Sequence, residues 1–170
     1  MKIVITGHTQ GLGLAFFRHF SSHNVIGFSR SNGYNIASPV ARDKILDAIK
    51  DADIFINNAY NNFDDSQLQL LVEAYKLLQG TNKIIVNISS RYTSGSEKYC
   101  RDKEQQDIFC KSKEFTLPHI INLKPGLVDT DRVKHIQGKR LSVSEVISVL
   151  DFTLNNRCKI HTITFGQIND

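Results

Sequence analysis

The chain opens on Lys2-Ile3-Val4-Ile5-Thr6, a β-branched apolar run, and passes directly into Gly7-His8-Thr9-Gln10-Gly11-Leu12-Gly13 before a helix-forming stretch, Leu12–Phe20. Strand, glycine loop and helix in that order restrict the fold more than any other feature of the sequence. Without a β-carbon, glycine adopts backbone angles closed to other residues and leaves amide N–H groups within reach of a ligand. The helix that follows points partial positive charge at the same spot. Such a loop fits the pyrophosphate of a dinucleotide; the alternative is a tight strand-to-helix turn that binds nothing, and the glycines alone do not separate the two.

The rest of the chain continues the alternation. Apolar β-type runs at Asn24–Phe28, Asp53–Asn57, Lys83–Ile88, His119–Leu123 and Ile160–Phe165 are separated by segments with helical spacing. The first helix is expected over Gly11–Ser22. Ser38-Pro39 reads as an N-cap with a first-turn proline, followed by Val40, Ile45, Leu46 and Ile49 at helical intervals. Ser66–Gln79 carries apolar stripes on two sides, a helix spans Ser96–Glu114, and Ser142-x-x-Glu145 is a capping box for a helix with Val143, Val146, Ile147, Leu150 and Leu154 on one stripe. The expected fold class is α/β: a doubly wound, Rossmann-like parallel sheet of six to seven strands with helices on both faces, in one domain over residues 1–170.

Just past the second strand a dinucleotide site specific for NAD places an acidic residue on the adenosine ribose. Here the chain reads Phe28-Ser29-Arg30-Ser31. Arg30 can form charge-assisted hydrogen bonds to a 2′-phosphate, with Ser29 and Ser31 offering hydroxyls, so NADP(H) is favoured over NAD(H). The net charge of +4 is dispersed, which argues against nucleic acid as a partner, and no apolar run is long enough to cross a bilayer. The opening residues lack a signal-peptide pattern, and Cys100, Cys110 and Cys158 are odd in number and far apart, consistent with reduced thiols in the cytoplasm. Cys158-x-x-His161 and His19-x-x-x-His23 each supply a ligand pair without a third partner, so no metal site is expected.

Several further motifs follow in order. Asn57-Asn58-Ala59-Tyr60, Asn87-Ile88-Ser89-Ser90, Tyr99-x-x-x-Lys103 and Pro125-Gly126-x-x-x-Thr130, together with the glycine loop, resemble the short-chain dehydrogenase/reductase family. The resemblance implies NAD(P)-dependent interconversion of a carbonyl and an alcohol on a small molecule, with Ser90, Tyr99 and Lys103 as catalytic residues. It implies cofactor contacts from Gly7, Thr9, Gln10, Gly11, Leu12, Gly13, Ser29, Arg30, Ser31, Asn57, Asn58, Ala59, Lys103, Pro125, Gly126, Val128 and Thr130. Family members commonly pair through the helices equivalent to Ser66–Gln79 and to the tyrosine helix, so a homodimer or homotetramer is expected.

The chemistry can be argued from the residues as well. Hydride transfer to a carbonyl needs an acid to protonate the oxygen as charge develops, and a phenol four residues from an ammonium lies on one helix face with it. Moving a tyrosine from a pKa near 10 to ~7 takes roughly 4 kcal/mol of differential stabilisation, more than one solvated lysine supplies. A water-poor cleft and a positively charged nicotinamide ring would add the rest. Ser90 would donate to the substrate oxygen, with Ser89 as its alternative.

The sequence also departs from the family pattern. Tyr60 stands where the family has glycine, and either crowds the nicotinamide side or reshapes its loop. Ser90 and Tyr99 are unusually close in sequence, implying a shortened intervening loop, and Arg30–Ser38 leaves a third strand only Tyr34–Ile36 or none, with Asn35 near the place of an adenine-contacting aspartate. The relay asparagine that the family often carries has no counterpart within Ser66–Gln79; Asn61 and Asn62 lie just before it. The short polar segment Asp131–Leu141 implies an open cleft without a long lid. A non-catalytic NADP(H)-binding sensor on the same scaffold, and nucleotide-sugar epimerisation or dehydration, are the competing functions.

Overall fold

The structure, a computed structural model, describes residues 1–91 and 96–167. Six parallel strands form one sheet: β1 (Lys2–Thr6), β2 (Asn24–Phe28), β3 (Ile54–Asn57), β4 (Ile84–Ile88), β5 (His119–Pro125) and β6 (Thr162–Phe165), in the order β2-β1-β3-β4-β5-β6. Five helices connect or flank them: α1 (Gly11–His19), α2 (Pro39–Ile49), α3 (Ser66–Leu77), α4 (Glu97–Ser112) and α5 (Val143–Asn155). None of the helices among the described residues is long and apolar enough to cross a membrane.

Period-two side-chain alternation sorts each strand's residues onto two faces. Val4, Phe55, Ile85 and Ile120 pack under α2, α3 and α4 with Ile45, Leu70, Leu71 and Cys110. Ile3, Ile5, Ile56, Val86 and Leu123 pack on the other face against Phe16 of α1 and Val146 and Leu150 of α5. The doubly wound architecture expected from the sequence is therefore present, with six strands. Among the described residues no strand lies between β2 and β3; instead a 3-10 turn at Arg30–Asn32 leads to α2, whose N-cap Ser38 accepts from the Ala41 amide at 3.5 Å. Tyr34 packs edge-on against Phe28 with ring centroids 4.8 Å apart, closing the flank that an additional strand would cover.

Element ends differ modestly from expectation. The first helix stops at His19 instead of Ser22 because the Phe20 and Ser21 amides turn back onto Phe16 and Arg18, and the His23 amide onto Phe20, ahead of β2. The fifth strand runs on to Pro125, since the parallel ladder with β6 includes Lys124 and Pro125. The predicted shortened loop between Ser90 and Tyr99 falls largely on residues 92–95, outside the described residues. Chain order reverses between β1 and β3, and the crevice beyond their carboxyl ends is where open α/β sheets bind ligands.

Candidate functional site

Beyond β1 the backbone turns sharply. The Gly7 amide donates to Phe28 O at 2.7 Å, Gly7 and Gly11 take φ of 73° and 53°, and a β-carbon on Gly13 would lie 2.1 Å from Gly7 O. No side chain but hydrogen fits that last position. Gln10, the residue capping α1, makes no side-chain cap bond, and the first turn holds no acidic residue, so the leading amides of α1 face the crevice without an internal anion. Thr130 stands opposite: its Cγ2 is 3.6 Å from where a Gly11 β-carbon would be. Two motifs separated by most of the chain thus meet across the same opening.

Thr6 joins this loop to the next strand. Its hydroxyl accepts from the Asn58 and Ala59 amides, both at 3.1 Å, and the Asn58 amide group donates to Thr6 O at 3.0 Å and Gly7 O at 3.4 Å. Asn57 lies deeper than the cofactor-contact expectation requires. It is fully buried, and its amide nitrogen donates to Gln67 O at 3.1 Å and Asn87 Oδ1 at 3.0 Å. Its position corrects that expectation: the side chain braces β3 against β4 and α3 and does not line the crevice. Leu12 and Val128 pack with the core, Gly126 donates to Phe165 O at 2.7 Å, and buried Pro125 accepts from the Arg91 amide at 2.9 Å. These residues shape the wall, and Thr130 is the one of that segment set against the glycine loop.

At the far side of β1, hydroxyls form a chain. Ser29 Oγ and Ser31 Oγ are 2.8 Å apart, and Ser31 Oγ donates to Thr9 Oγ1 at 3.2 Å. Ser29 is buried and held by Asn32, while Arg30 and Ser31 are exposed at the rim. Asn35 is occupied locally, accepting from the Ala37 amide at 3.1 Å.

The second cluster lies beyond β4. Ser96 caps α4 by accepting from the Tyr99 amide at 3.2 Å, and the helix then carries Tyr99 and Lys103 on its inner face. The Ser90 hydroxyl hydrogen-bonds the Tyr99 phenol, which pulls the phenol's pKa down, yet burial outweighs this and leaves it above the ordinary value. Lys103 is almost fully buried; its ammonium donates to Gln67 Oε1 and Ile88 O, each at 2.8 Å. Burial, with repulsion from Arg132, pushes Lys103 down to about 7. Its Nζ lies 5.1 Å from the Tyr60 ring centre and 5.7 Å from that of Tyr99. Ser89, the alternative hydroxyl, is committed to Asp107 at 2.7 Å and does not join the phenol.

Tyr60 occupies the space where the family pattern has glycine. Its ring meets Tyr99 edge-to-face at 5.1 Å, its hydroxyl donates to Asp102 Oδ2 at 3.0 Å, and the Arg132 guanidinium lies 5.1 Å from its centre. The ring thus stands beside both Tyr99 and Lys103. The segment after Thr130 is also more built than its polarity suggested: Arg140 Nη2 donates to the carbonyls of Val133, Lys134 and Ile136, and Val128 bridges to Leu141. Gln67 and Arg132 were not singled out from the sequence. Gln67 reads there as a polar residue on an amphipathic helix, and only the packing of α3 against α4 turns it toward the lysine.

No family model and no curated protein sequence matches this chain. Comparison of structures does find relatives. A short-chain dehydrogenase from Burkholderia cenocepacia, solved with NADP, superposes with a TM-score of 0.78 at 16% identity over 96% of this chain and 88% of that one. A small-chain dehydrogenase in complex with NADPH gives 0.75 at 16% identity, covering 98% and 96%. A 3-alpha-hydroxysteroid dehydrogenase from a Pseudomonas species, complexed with NADH, gives 0.74 at 15% identity, covering 97% and 94%. The chain has the fold of short-chain dehydrogenases/reductases.

Proposed function

We propose that this chain, built on the short-chain dehydrogenase/reductase fold, belongs to that family and is an NADP(H)-dependent oxidoreductase interconverting a carbonyl and an alcohol, with Tyr99 as the general acid and base. The observation that carries the reading is the cluster itself: a phenol hydrogen-bonded to Ser90 and backed by the Lys103 ammonium, on the same sheet edge as an unoccupied-by-side-chain glycine cradle at a helix N-terminus. The cradle suits a pyrophosphate, because a β-carbon on Gly13 is sterically forbidden and the α1 amides have no side-chain cap. Gly7, Thr9, Gln10, Gly11, Leu12 and Gly13 would hold the pyrophosphate, Ser29, Arg30 and Ser31 the adenosine 2′-phosphate, and Thr130 the nicotinamide amide, with Asn58, Ala59, Pro125, Gly126 and Val128 forming the walls. A bound nicotinamide cofactor supplies or accepts the hydride.

The protein's part is the proton. In reduction, Tyr99 gives its hydroxyl proton to the carbonyl oxygen while Ser90 donates a hydrogen bond to that oxygen; in oxidation the phenolate takes the alcohol proton back. Burial raises the Tyr99 pKa, so a nearby positive charge must offset it. Lys103 provides one such charge and would also hold the nicotinamide ribose. We further read the protein as a cytoplasmic homodimer or homotetramer acting on a small molecule.

Fluorescence titration with NADPH and NADH, followed by absorbance assays with aldehydes, ketones, quinones and imines, tests the proposal. Tight NADPH binding with turnover of at least one carbonyl is expected; absence of turnover across the panel overturns it. The Tyr60 ring against Tyr99 and Lys103 favours one second reading, a weakly active or inactive NADP(H)-binding sensor on the same scaffold, and NADPH binding without turnover would select it.

A further inference from the structure

The Lys103 ammonium has no room to choose its own direction. Its acceptors are one carbonyl of β4, Ile88 O, and one side chain of α3, Gln67 Oε1, each at 2.8 Å. Gln67 is itself fixed. Its amide nitrogen sits 3.0 Å from Asn57 O and 3.1 Å from Ile88 O, and both are carbonyl oxygens that can only accept. The nitrogen end of the carboxamide must therefore face the sheet, which leaves the oxygen end aimed at Lys103 and at Gln106 Nε2, 3.3 Å away. Gln67, Lys103, Gln106 and Asn57 are all buried, so water does not compete for these bonds.

We infer that Gln67 is a positioning residue for Lys103: its carboxamide, locked by two sheet carbonyls, holds the ammonium so that its remaining N–H side faces Tyr60 and Tyr99, and thereby governs the charge that Tyr99 feels. The inference rests on the proposed role of Tyr99 and Lys103. A lysine with two hydrogens committed to Gln67 and Ile88 keeps one N–H, or one lone pair once deprotonated, toward the two rings. Loss of that one proton converts a stabiliser of the Tyr99 phenolate into a neutral amine. The charged and titratable groups facing Lys103 are Tyr99, Asp102 and Asp107 from its own helix, Tyr60 from the segment after β3, and Arg132 from the segment after β5. From α3 it faces a neutral acceptor, so the amide oxygen supports the ammonium without supplying a full negative charge.

Two substitutions move this support in opposite directions. Gln67→Met keeps the volume and removes the acceptor; Gln67→Glu replaces it with a carboxylate. With lysine nitrogens isotope-labelled in the ligand-free protein, the Lys103 Nζ resonance followed from mildly acidic to alkaline pH should titrate at least tenfold lower in the proton-affinity constant for Gln67→Met and at least tenfold higher for Gln67→Glu. The alkaline limb of the rate profile for alcohol oxidation should move the same way in each variant. A purely structural role would lower thermal stability in both variants while leaving the titration midpoint in place, and that result, or shifts of one sign in both, overturns the inference. If Gln67→Met does not fold, the direction and size of the Gln67→Glu shift decide. Wild-type protein that turns over no carbonyl would defeat the dehydrogenase reading while leaving the Nζ titration to judge Gln67.

Discussion

The two ends of the crevice are built on different plans. At the end beyond β2, Ser29, Ser31 and Thr9 form a short hydroxyl chain, with Arg30 and Ser31 exposed at the rim. At the Tyr99 end, Lys103, Gln67, Gln106 and Asn57 are buried and cross-linked by hydrogen bonds before any ligand arrives. The contrast is one of reorganisation: charge at the rim is free to adapt to an anion, whereas the groups beside the phenol are set in advance, as preorganised electrostatics requires. Extended hydrogen bonding explains how polarity this dense survives in the interior. Asn57, Asn87 and Asn122 sit in register on three neighbouring strands and bond in sequence, and Asn122 donates to Asp107 at 2.7 Å, which Lys124 pairs at 2.5 Å.

The sharpest break between the ends should come from Tyr99→Phe, which removes the proton carrier and nothing from the rim. Turnover is expected to fall roughly 10²–10⁴-fold with NADPH affinity almost unchanged, measured by steady-state rates and fluorescence titration. Comparable turnover in the variant would take Tyr99 out of the chemistry.

Burial of Lys103 predicts a pH signature next. The folded pKa, near 7, lies below the ordinary value of 10.5, so above pH 7 the unfolded chain binds more protons than the folded one. Stability should therefore rise with pH, by up to about 1.4 kcal/mol per pH unit. The rise levels off near pH 9, where the buried Cys110 thiol, pushed up to about 12, stays protonated in the folded chain while ionising in the unfolded one; stability turns down only from about pH 10, where the Tyr60 and Tyr99 phenols, both raised by burial, add to the thiol. Denaturant unfolding of the wild type and Lys103→Met across that window checks this; an equal slope in the variant would assign the effect to other groups.

Arg30→Ala probes the opposite end. Loss of one charge-assisted contact to a 2′-phosphate is expected to weaken NADPH about tenfold or more while barely altering NADH. Equal losses for both cofactors would show that Arg30 does not read the phosphate. The smallest effect is expected from Tyr60→Gly, which clears the ring from Tyr99 and Lys103: a several-fold gain in cofactor affinity or turnover, read in the same assays, would identify Tyr60 as a plug, and a loss would identify it as part of the wall.

The sequence made the scaffold legible where local chemistry suffices. β-Branched runs such as Ile3-Val4-Ile5 and the Ser142–Glu145 capping box mark elements whose signal lies within a few residues, and both form as expected. The Tyr99–Lys103 pair was visible because four residues is one helical turn. Gln67 was not, because its importance depends on how closely α3 approaches α4 and on which carbonyls of β3 and β4 meet it. Nor could spacing reveal that Asn57 turns inward, since adjacent strand residues alternate faces and the register that pairs it with Asn87 is a property of the sheet. That the Tyr60 ring stands against Tyr99 and Lys103 likewise depends on how β3 and α4 are brought together.

The contact between Tyr34 and Phe28 carries a broader implication. Among the described residues, a single edge-on aromatic pair and one turn of 3-10 backbone finish the sheet beside β2, whereas β3, β4 and β5 each have a neighbouring strand on both sides. If a cofactor sits as proposed, the thinly finished margin lies beside its handle and the strands flanked on both sides lie beside its reacting end.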